Sequence, residues 1–393
     1  MPFHFRAKGE IMDFDFDLLI DRKGTNSVKW DLDAKSLAMW VADMDFELAP
    51  CIQQALQKRL KHPVFGYNLI PPSFYESIIW WWHTYHGVKF ERKSLVFSNG
   101  VVPAISAMIR TLSEKGDKIL LQSPVYHIFF HIIKDNDRVV VENKLAYKDG
   151  VYSVNFKDFE RKLAKEKPAL FLLCNPHNPV GKVFSKDELA KMSALCRKYG
   201  VRVISDEIHC DIVQKPFAYT SFYSIDENAL IALSATKSFN LAGLCGSFNV
   251  IKSPKIRRKI EKEFSVSGIE SANSFIIDAN IAAFSPQGRA WLDAMNEYVA
   301  ANKEFAYKFI EQNTPCKVVR GAALYMIWIE CFCKDSGILA KFLREKYELF
   351  LSSGKDFKGN GKGFLRLNLA CSRKTLEEGL KRFVQGIKAF NEL

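Results

Sequence analysis

The sequence predicts an α/β fold in which helices cover both faces of a parallel sheet, because three features of the chain agree. Short apolar segments of strand length recur between about residue 95 and residue 235. Segments with a helical spacing of apolar residues separate them. Continuously apolar strands belong in a sheet that is buried on both faces, as parallel sheets are. Ligands of such sheets bind at the carboxyl ends of the strands.

Two helices are predicted before the first strand. Residues 47–61 repeat apolar side chains every three or four positions, which gives a helix one apolar face. Residues 73–86 follow Pro71 and Pro72 and begin with Ser73, a combination that is typical of a helix start.

The strands and helices of the sheet then alternate along the chain. We predict strands at residues 95–98, 118–122, 169–174, 201–205 and 230–234. We predict helices at residues 101–115 and 185–198. The second of these begins with Ser185 and Glu188, which have the spacing of a capping box.

The pattern changes after about residue 285 to long helices around a few strands. Helices are predicted at residues 291–312, 337–347 and 376–393, strands at 323–330 and 363–369, and a loop at 352–363. A chain of 393 residues is long enough for two domains. We therefore expect an N-terminal segment at 1–46, a large domain at 47–285 and a smaller α+β domain at 286–393.

Composition excludes several classes of protein. With 48% hydrophobic and 25% charged residues, the chain matches a globular protein and not a disordered one. No apolar run has the length of a membrane span, and charged residues interrupt the N-terminus, so we expect a soluble cytoplasmic protein. The net charge is +12, but the basic residues are spread along the chain and commonly lie beside acidic ones, so we expect no nucleic-acid partner. The nine cysteines show no metal-binding spacing, and we expect no metal.

Two motifs directly follow predicted strands. After residues 169–174, two X-Pro pairs and a glycine form a stiff turn that projects Asn178 over the sheet edge. After residues 201–205 come Asp206, Glu207 and His209. Two acids at a strand end suit either a metal or a charged heterocycle.

Two further motifs stand at other strand ends. Lys237 lies among the hydroxyls of Ser234, Thr236 and Ser238, which suits a covalent Schiff-base lysine beside a phosphate. Residues 98–102 turn through glycine into a helix start, which offers an anion its backbone N–H groups. Each motif is weak alone, but their order and spacing agree.

These motifs resemble those of the pyridoxal-phosphate (PLP) enzymes with the aspartate-aminotransferase fold, called fold type I. The chain is most similar to the cystalysin-like C–S β-lyases of the MalY/PatB type. The segments typical of that branch are residues 21–25, 29–31, 40–46, 64–67, 205–209 and 363–368. The resemblance covers nearly the whole chain and implies a large, mainly parallel mixed sheet between helices, with a smaller α+β domain.

The resemblance assigns a role to each candidate residue around PLP. Lys237 would bind the cofactor covalently, Asp206 would pair with the pyridinium nitrogen, and Asn178 would bind the phenolic oxygen. Tyr126 would stack on the ring, and His209 would also contact the cofactor. Val101, Val102 and Ser234 would bind the phosphate, and Tyr67 would bind the phosphate of the neighbouring subunit's cofactor. Arg366 would bind the substrate carboxylate, and Tyr67 and Asn178 would also contact the substrate.

Two positions depart from the aminotransferase pattern. Cys245 stands where many relatives have an arginine on the phosphate, and His209 stands where they have a tyrosine. Both departures resemble the lyases, and Cys245 leaves the phosphate with less positive charge.

The resemblance therefore implies a PLP-dependent β-lyase that acts on cystathionine, cysteine or related S-substituted cysteines. Its partners would be this small-molecule substrate and a second copy of the chain, in a homodimer with shared active sites. One alternative is an aminotransferase of class I or II. Another is a PLP-binding protein that works by binding a transcription factor, although such a protein would not need both Lys237 and Arg366.

Overall fold

The computed structural model of the chain describes residues 3–7 and 10–392. The first elements are β1 (Phe3–Ala7), β2 (Glu10–Phe14), α1 (Val28–Asp31) and β3 (Leu37–Ala38). Strands β1 and β2 pair in antiparallel orientation. The last residue of the predicted helix 376–393 lies outside the described residues, as do residues 1, 2, 8 and 9 of the predicted N-terminal segment.

The middle of the chain forms a seven-stranded mixed sheet with helices on both faces. Its elements are α2 (Pro50–Leu60), α3 (Pro72–His86), β4 (Leu95–Ser98), α4 (Val101–Leu112), β5 (Lys118–Ser123), α5 (Ile128–Lys134), β6 (Val139–Lys144), β7 (Ala146–Lys148), β8 (Val151–Ser153), α6 (Phe156–Glu166), β9 (Leu170–Cys174), α7 (Lys186–Lys198), β10 (Arg202–Asp206), β11 (Leu230–Leu233), β12 (Ser247–Val250), α8 (Pro254–Val266) and α9 (Ser274–Ala283). The strand order is β4-β12-β11-β10-β9-β5-β6. Strands β7 and β8 form a separate antiparallel pair.

The central strands are buried on both faces, as their apolar sequences predict. In β9, Phe171 and Leu173 pack into one hydrophobic core, whereas Leu170, Leu172 and Cys174 pack into a second core on the opposite face. Helix α7 begins with the predicted capping box between Ser185 and Glu188. The predicted α/β class with a large sheet between helices is confirmed.

The C-terminal part forms a second, smaller sheet. Its elements are α10 (Pro286–Asn313), β13 (Lys317–Val319), β14 (Met326–Glu330), α11 (Ser336–Tyr347), β15 (Leu349–Phe350), β16 (Ser352–Ser353), β17 (Phe364–Asn368) and α12 (Arg373–Asn391). Strands β13, β14, β17 and β16 form an antiparallel sheet in that order, and β15 pairs in parallel with β3. The N-terminal segment thus adjoins the C-terminal part of the chain.

A buried lysine connects the long helix α10 to two loops. The Lys303 ammonium donates hydrogen bonds to Gln214 Oε1 at 2.7 Å, the Gly321 carbonyl at 3.1 Å and the Ala323 carbonyl at 2.7 Å. Burial lowers the pKa of Lys303 to about 7. No acidic side chain forms an ion pair with it within the described ranges.

Several elements differ from the sequence-based expectation, and those that were not predicted include strand β6 and helices α5, α6, α8 and α9. Strand β12 was not predicted, and it is antiparallel to both β11 and β4. The expected loop at 352–363 contains strand β16 and two short 3₁₀ turns, Gly354–Phe357 and Gly361–Gly363. A Cβ on Gly354 would collide with the carbonyl oxygen of Gly361, so tight backbone packing accounts for glycine there. Among the described helices, none is long and apolar enough to cross a membrane.

Candidate active site

The order of the strands brings four predicted site residues to one edge of the large sheet. Strands β11, β10, β9 and β5 are neighbours in that order. Lys237 follows β11, Asp206 ends β10, Asn178 follows β9 and Tyr126 follows β5. All four side chains line one cavity of about 490 Å³, which we call the inner cavity. Arg366, which comes from β17 of the smaller sheet, lines it too.

Asp206 is a buried carboxylate with few partners. Among the described residues its side chain has one recorded hydrogen bond, accepted by Oδ1 from the Ile208 N–H at 3.1 Å. Burial raises the pKa of Asp206 to about 7, and the nearby Glu207 carboxylate also raises it, whereas the Ile208 N–H and the Lys237 ammonium lower it. A ligand that carries a cation would stabilise the ionised form.

The second acid of the motif has a different environment. Glu207 accepts hydrogen bonds from the Ser205 and Ser221 hydroxyls and from the Phe222 N–H, each at 2.8 Å. The Tyr219 hydroxyl also donates to it. Glu207 lies outside the lining of the inner cavity and stabilises the loops beneath it.

Lys237 lies partly buried at the centre of the site. Its Nζ donates a hydrogen bond to the Ala42 carbonyl at 2.8 Å. Burial lowers the pKa of Lys237, an effect that the Arg366 charge reinforces and that Asp43 and Asp206 oppose. A lowered pKa increases the neutral amine form, which can attack a carbonyl carbon or accept a proton.

Arg366 is a buried cation without an acid partner. Its Nη1 donates to Asn178 Oδ1 at 3.1 Å, and its Nη2 donates to the Trp40 carbonyl at 2.8 Å and to Ser352 Oγ at 3.3 Å. Its Nε has no partner within the described part of the chain, and no carboxylate there forms an ion pair with it. Burial lowers the pKa of Arg366 to about 10. A carboxylate ligand would compensate this charge.

An anion cradle lies at the start of α4. Gly100 precedes the helix with a φ of 154°, a conformation that favours glycine. The N–H groups of Val101 and Val102 belong to the first turn, where an α-helix gives them no internal partner. Both residues line the inner cavity, so the positive end of the helix faces it.

The hydroxyl residues near Lys237 have different surroundings. Ser234 Oγ donates to the Gly246 carbonyl, is within 2.8 Å of Thr236 Oγ1 and accepts from the Thr236 N–H. Thr236 lines the inner cavity, whereas Ser234 lies outside its lining. The sequence assigned a phosphate role to Ser234 and none to Thr236, although Thr236 is adjacent to Lys237.

Two aromatic side chains complete the inner cavity. Burial lowers the pKa of His209 to about 3, and the charges of Lys237 and Arg366 lower it further, so the ring is neutral near pH 7. Its Nδ1 is buried without a partner among the described residues. Burial raises the pKa of Tyr126, and the Tyr126 N–H donates to the Asn178 carbonyl at 3.1 Å.

Tyr67 and Cys245 lie in more open surroundings. Tyr67 is fully exposed and lies outside the inner cavity of its own chain, together with the exposed Phe65 and Leu69. Cys245 is exposed and lines the inner cavity beside Gly246. The inner cavity therefore contains two cationic side chains, Lys237 and Arg366, and no arginine at position 245.

Residues 40–44, which we call the N-terminal strap, contribute main-chain atoms that the sequence reasoning missed. The Trp40 carbonyl accepts from Arg366, and the Ala42 carbonyl accepts from Lys237 and from the Tyr325 hydroxyl at 2.9 Å. Asn368 donates to the Val41 and Asp43 carbonyls, each at 2.6 Å. A carbonyl oxygen leaves no signal in a sequence, because every residue has one.

Partly buried ion pairs hold the strap in place. Arg22 pairs with Asp43 at 2.8 Å and with Asp45 at 2.7 Å, and the buried Lys29 pairs with Asp45 at 2.7 Å. Asn240 closes a two-way hydrogen bond with the main chain of Met44 at 2.9 and 3.0 Å. The strap is therefore attached to the loop that follows Lys237.

The polar groups of the inner cavity fit PLP. An amine, a carboxylate with one recorded hydrogen bond, the first turn of a helix and an unpartnered imidazole nitrogen all line one space. These groups match an aldehyde, a pyridine nitrogen and a phosphate. The fold and the site together define a fold-type-I enzyme.

Comparisons with known proteins agree with this class. The family model described as aminotransferase class I and II matches residues 37–383, and the chain belongs to that family. The cystathionine β-lyase PatB of Bacillus subtilis (strain 168) is 36% identical and covers 94% of this chain and 98% of its own length. Protein MalY of Escherichia coli (strain K12) is 33% identical, with coverages of 96% and 99%.

A solved structure shows the same fold. Cystalysin from Treponema denticola, whose crystal structure contains a pyridoxal 5′-phosphate cofactor, superposes with a TM-score of 0.93. It is 30% identical, with coverage of 96% of this chain and 100% of cystalysin. The predicted resemblance to PLP enzymes of the cystalysin type is confirmed.

Proposed function

We propose that this chain is a PLP-dependent C–S β-lyase of the cystathionine β-lyase type. One observation carries the proposal: a partly buried amine, a buried carboxylate and a buried guanidinium without an acid partner line the same cavity, in a chain that matches PatB over nearly its full length. The overall reaction consumes one water and converts cystathionine into homocysteine, pyruvate and ammonia.

The residues of the inner cavity would hold the cofactor as follows. Val101 and Val102 offer N–H groups to the phosphate, and Thr236 joins Ser234 as a hydroxyl residue of that region. Asp206 would keep the pyridine nitrogen protonated. Asn178 would bind the phenolic oxygen, and the remaining contacts of the ring are assigned to Tyr126 and His209. PLP, when bound, supplies an electron sink for the charge that develops at Cα of the substrate.

Substrate binding and proton transfer depend on two cationic side chains. Arg366 would bind the α-carboxylate through two parallel N–H groups, which requires a planar guanidinium. Asn178, which accepts a hydrogen bond from Arg366, would orient the guanidinium group. Lys237 in its amine form would take the Cα proton, and its ammonium form could return a proton. The Ala42 carbonyl keeps Nζ of Lys237 in place when the amine is free.

We propose that the enzyme is a homodimer in which Tyr67 completes the neighbour's site. The exposed aromatic and apolar side chains of residues 64–69 support this proposal, because a large apolar patch is normally covered by a partner. Sedimentation should give a dimer, and Tyr67→Phe should weaken PLP retention more than it slows turnover. A fully active monomer at assay concentration would contradict the proposal.

The proposed compartment is the cytoplasm, and the proposed domains are residues 47–285 and 286–393 with an N-terminal segment at 1–46. All nine cysteines are free thiols, which fits a reducing compartment.

A product assay separates the lyase from the aminotransferase alternative. Purified protein is incubated with cystathionine alone, and with amino-acid and keto-acid pairs. A lyase releases thiol, pyruvate and ammonia in equal amounts without a keto acid. Amino transfer that outpaces thiol release, with conversion of the cofactor into its amine form, would leave the aminotransferase as the function.

A further inference from the structure

A second cavity of about 670 Å³ adjoins the inner cavity, and we call it the outer cavity. Trp40, His127 and Ser352 line both cavities. Ser352 is also a hydrogen-bond acceptor of Arg366, the proposed carboxylate ligand. The outer cavity therefore begins where the substrate is proposed to be held.

The outer cavity has an aromatic wall next to the residues that it shares with the inner cavity. The indole of Trp40 stacks on the ring of Phe350, with a centroid distance of 4.5 Å and an interplanar angle of 11°. The ring of Phe357 lies 4.9 Å from the guanidinium carbon of Arg366. A thioether and its methylene groups would pass such a wall without loss of hydrogen bonds.

Helix α11 contributes incompletely paired cations to the lining of the outer cavity. Arg344 donates from Nε to Asp33 at 2.6 Å, and its guanidinium lies 3.9 Å above the ring of Phe350. Its two terminal nitrogens have no recorded partner among the described residues. Lys341 is exposed and has only a loose pair with Glu345 at 3.7 Å, which contributes little stability.

Carboxylates of the same cavity are also free for a ligand. Asp356 lines the outer cavity and has no recorded hydrogen bond or ion pair in the described part of the chain. Glu345 has only the pair with Lys341. The outer cavity thus presents both charge signs together with an aromatic wall.

We propose that the outer cavity is the subsite for the leaving thiol, and that it selects thiols that carry their own amino-acid group. A zwitterionic end matches this lining, because Arg344 and Lys341 would bind its carboxylate and Asp356 or Glu345 its ammonium. A leaving group as small as methanethiol would fill little of 670 Å³ and would reach none of these charges. This inference depends on the proposed lyase function.

The experiment compares two substrates that share the cysteine half. L-cystathionine has the distal amino-acid group, and S-methyl-L-cysteine lacks it. We expect Arg344→Gln and Lys341→Gln each to lower the ratio of kcat/KM for cystathionine to kcat/KM for S-methylcysteine by about tenfold, mainly through KM. Lys346→Gln is the matched control, since Lys346 lies exposed on the same helix outside the lining and should leave the ratio unchanged.

Product inhibition gives a second measurement. Homocysteine should inhibit the turnover of S-methylcysteine competitively, and its inhibition constant should rise about tenfold in the Arg344 and Lys341 variants but not in the Lys346 variant. Arg344→Gln also removes the ion pair with Asp33 and could lower the melting temperature. In that case the Lys341 variant tests the subsite, because the Lys341 side chain is exposed.

Two failures can be told apart. A wild-type protein that releases pyruvate from neither substrate overturns the lyase function itself. A wild type that releases pyruvate, with a substrate ratio that is equal in all variants and control, overturns the assignment of the outer cavity alone.

Discussion

Replacing Arg366 by methionine should remove substrate binding while the protein stays about as stable as before. The fall of the Arg366 pKa from 12.5 to about 10 corresponds to about 3 kcal/mol of unfavourable charge burial. Its three hydrogen bonds, at about 1 kcal/mol each, offset most of that penalty. Because these contributions nearly cancel, a buried apolar side chain of similar length should change the free energy of unfolding by about 1 kcal/mol or less.

The same substitution should have a large effect on catalysis. The carboxylate of the substrate would lose two charge-assisted hydrogen bonds, which together are worth about 2–4 kcal/mol. That loss corresponds to a fall of about 30-fold to 1000-fold in kcat/KM. Most of it should be a rise in KM, since the carboxylate is bound before and during the reaction.

The assay measures kcat and KM with cystathionine together with the melting temperature of the cofactor-free protein. Arg366→Met should melt within about 2 °C of the wild type. Arg366→Lys, which keeps the charge without the fork, should lose less activity than the methionine variant but should not restore the wild-type KM. An unchanged KM in Arg366→Met, or a large fall in its melting temperature, would refute the reasoning.

Three further predictions follow from buried titratable groups. Lys237→Ala should abolish turnover and covalent PLP attachment, and peptide mapping after borohydride reduction of the wild type should find PLP on Lys237 and on no other lysine. In the Lys237→Ala variant, the noncovalent affinity for PLP, measured by fluorescence titration, should fall as the pH drops from 8 to 6. The reason is that Asp206, with its pKa of about 7, becomes neutral in this range. Adding Asp206→Asn to the same variant should flatten this pH dependence. Lysine in an unfolded chain stays protonated to about pH 10, whereas folded Lys303 has a pKa of about 7, so between these values the unfolded state binds more protons. The free energy of unfolding should therefore rise from pH 7 to 9. Denaturant titrations should show a steeper rise in the wild type than in Lys303→Met.

The strands with continuously apolar sequences were predictable, whereas β6 and β12, which contain polar residues, were not predicted. The predicted strand at 95–98 coincides with β4 (Leu95–Ser98). Strand β12 was not predicted because its four residues include Ser247 and Asn249. In the structure the Asn249 side chain donates to Ser98 Oγ at 2.9 Å, so the neighbouring strand satisfies a polar group that local sequence patterns score as surface.

The site residues that directly follow predicted strands could be named from the sequence. Lys237, Asp206 and Asn178 are separated by about 30 residues along the chain, and only the order β11-β10-β9 makes them neighbours. Local spacing carries no information on that order, so the family resemblance supplied it. The position of Tyr67 relative to a cofactor depends on a second chain, which no property of one sequence fixes.

The carbonyl oxygens of the N-terminal strap have a consequence for mutational surveys. Alanine scanning of residues 40–44 alters side chains and leaves in place the oxygens that bind Lys237, Arg366 and Asn368. A scan would therefore score this segment as tolerant wherever its side chains are dispensable. Only a change to the peptide backbone itself, such as replacement of the amide after Ala42 by an ester to weaken its carbonyl as an acceptor, would reveal the contribution of the strap to the position of the Lys237 amine.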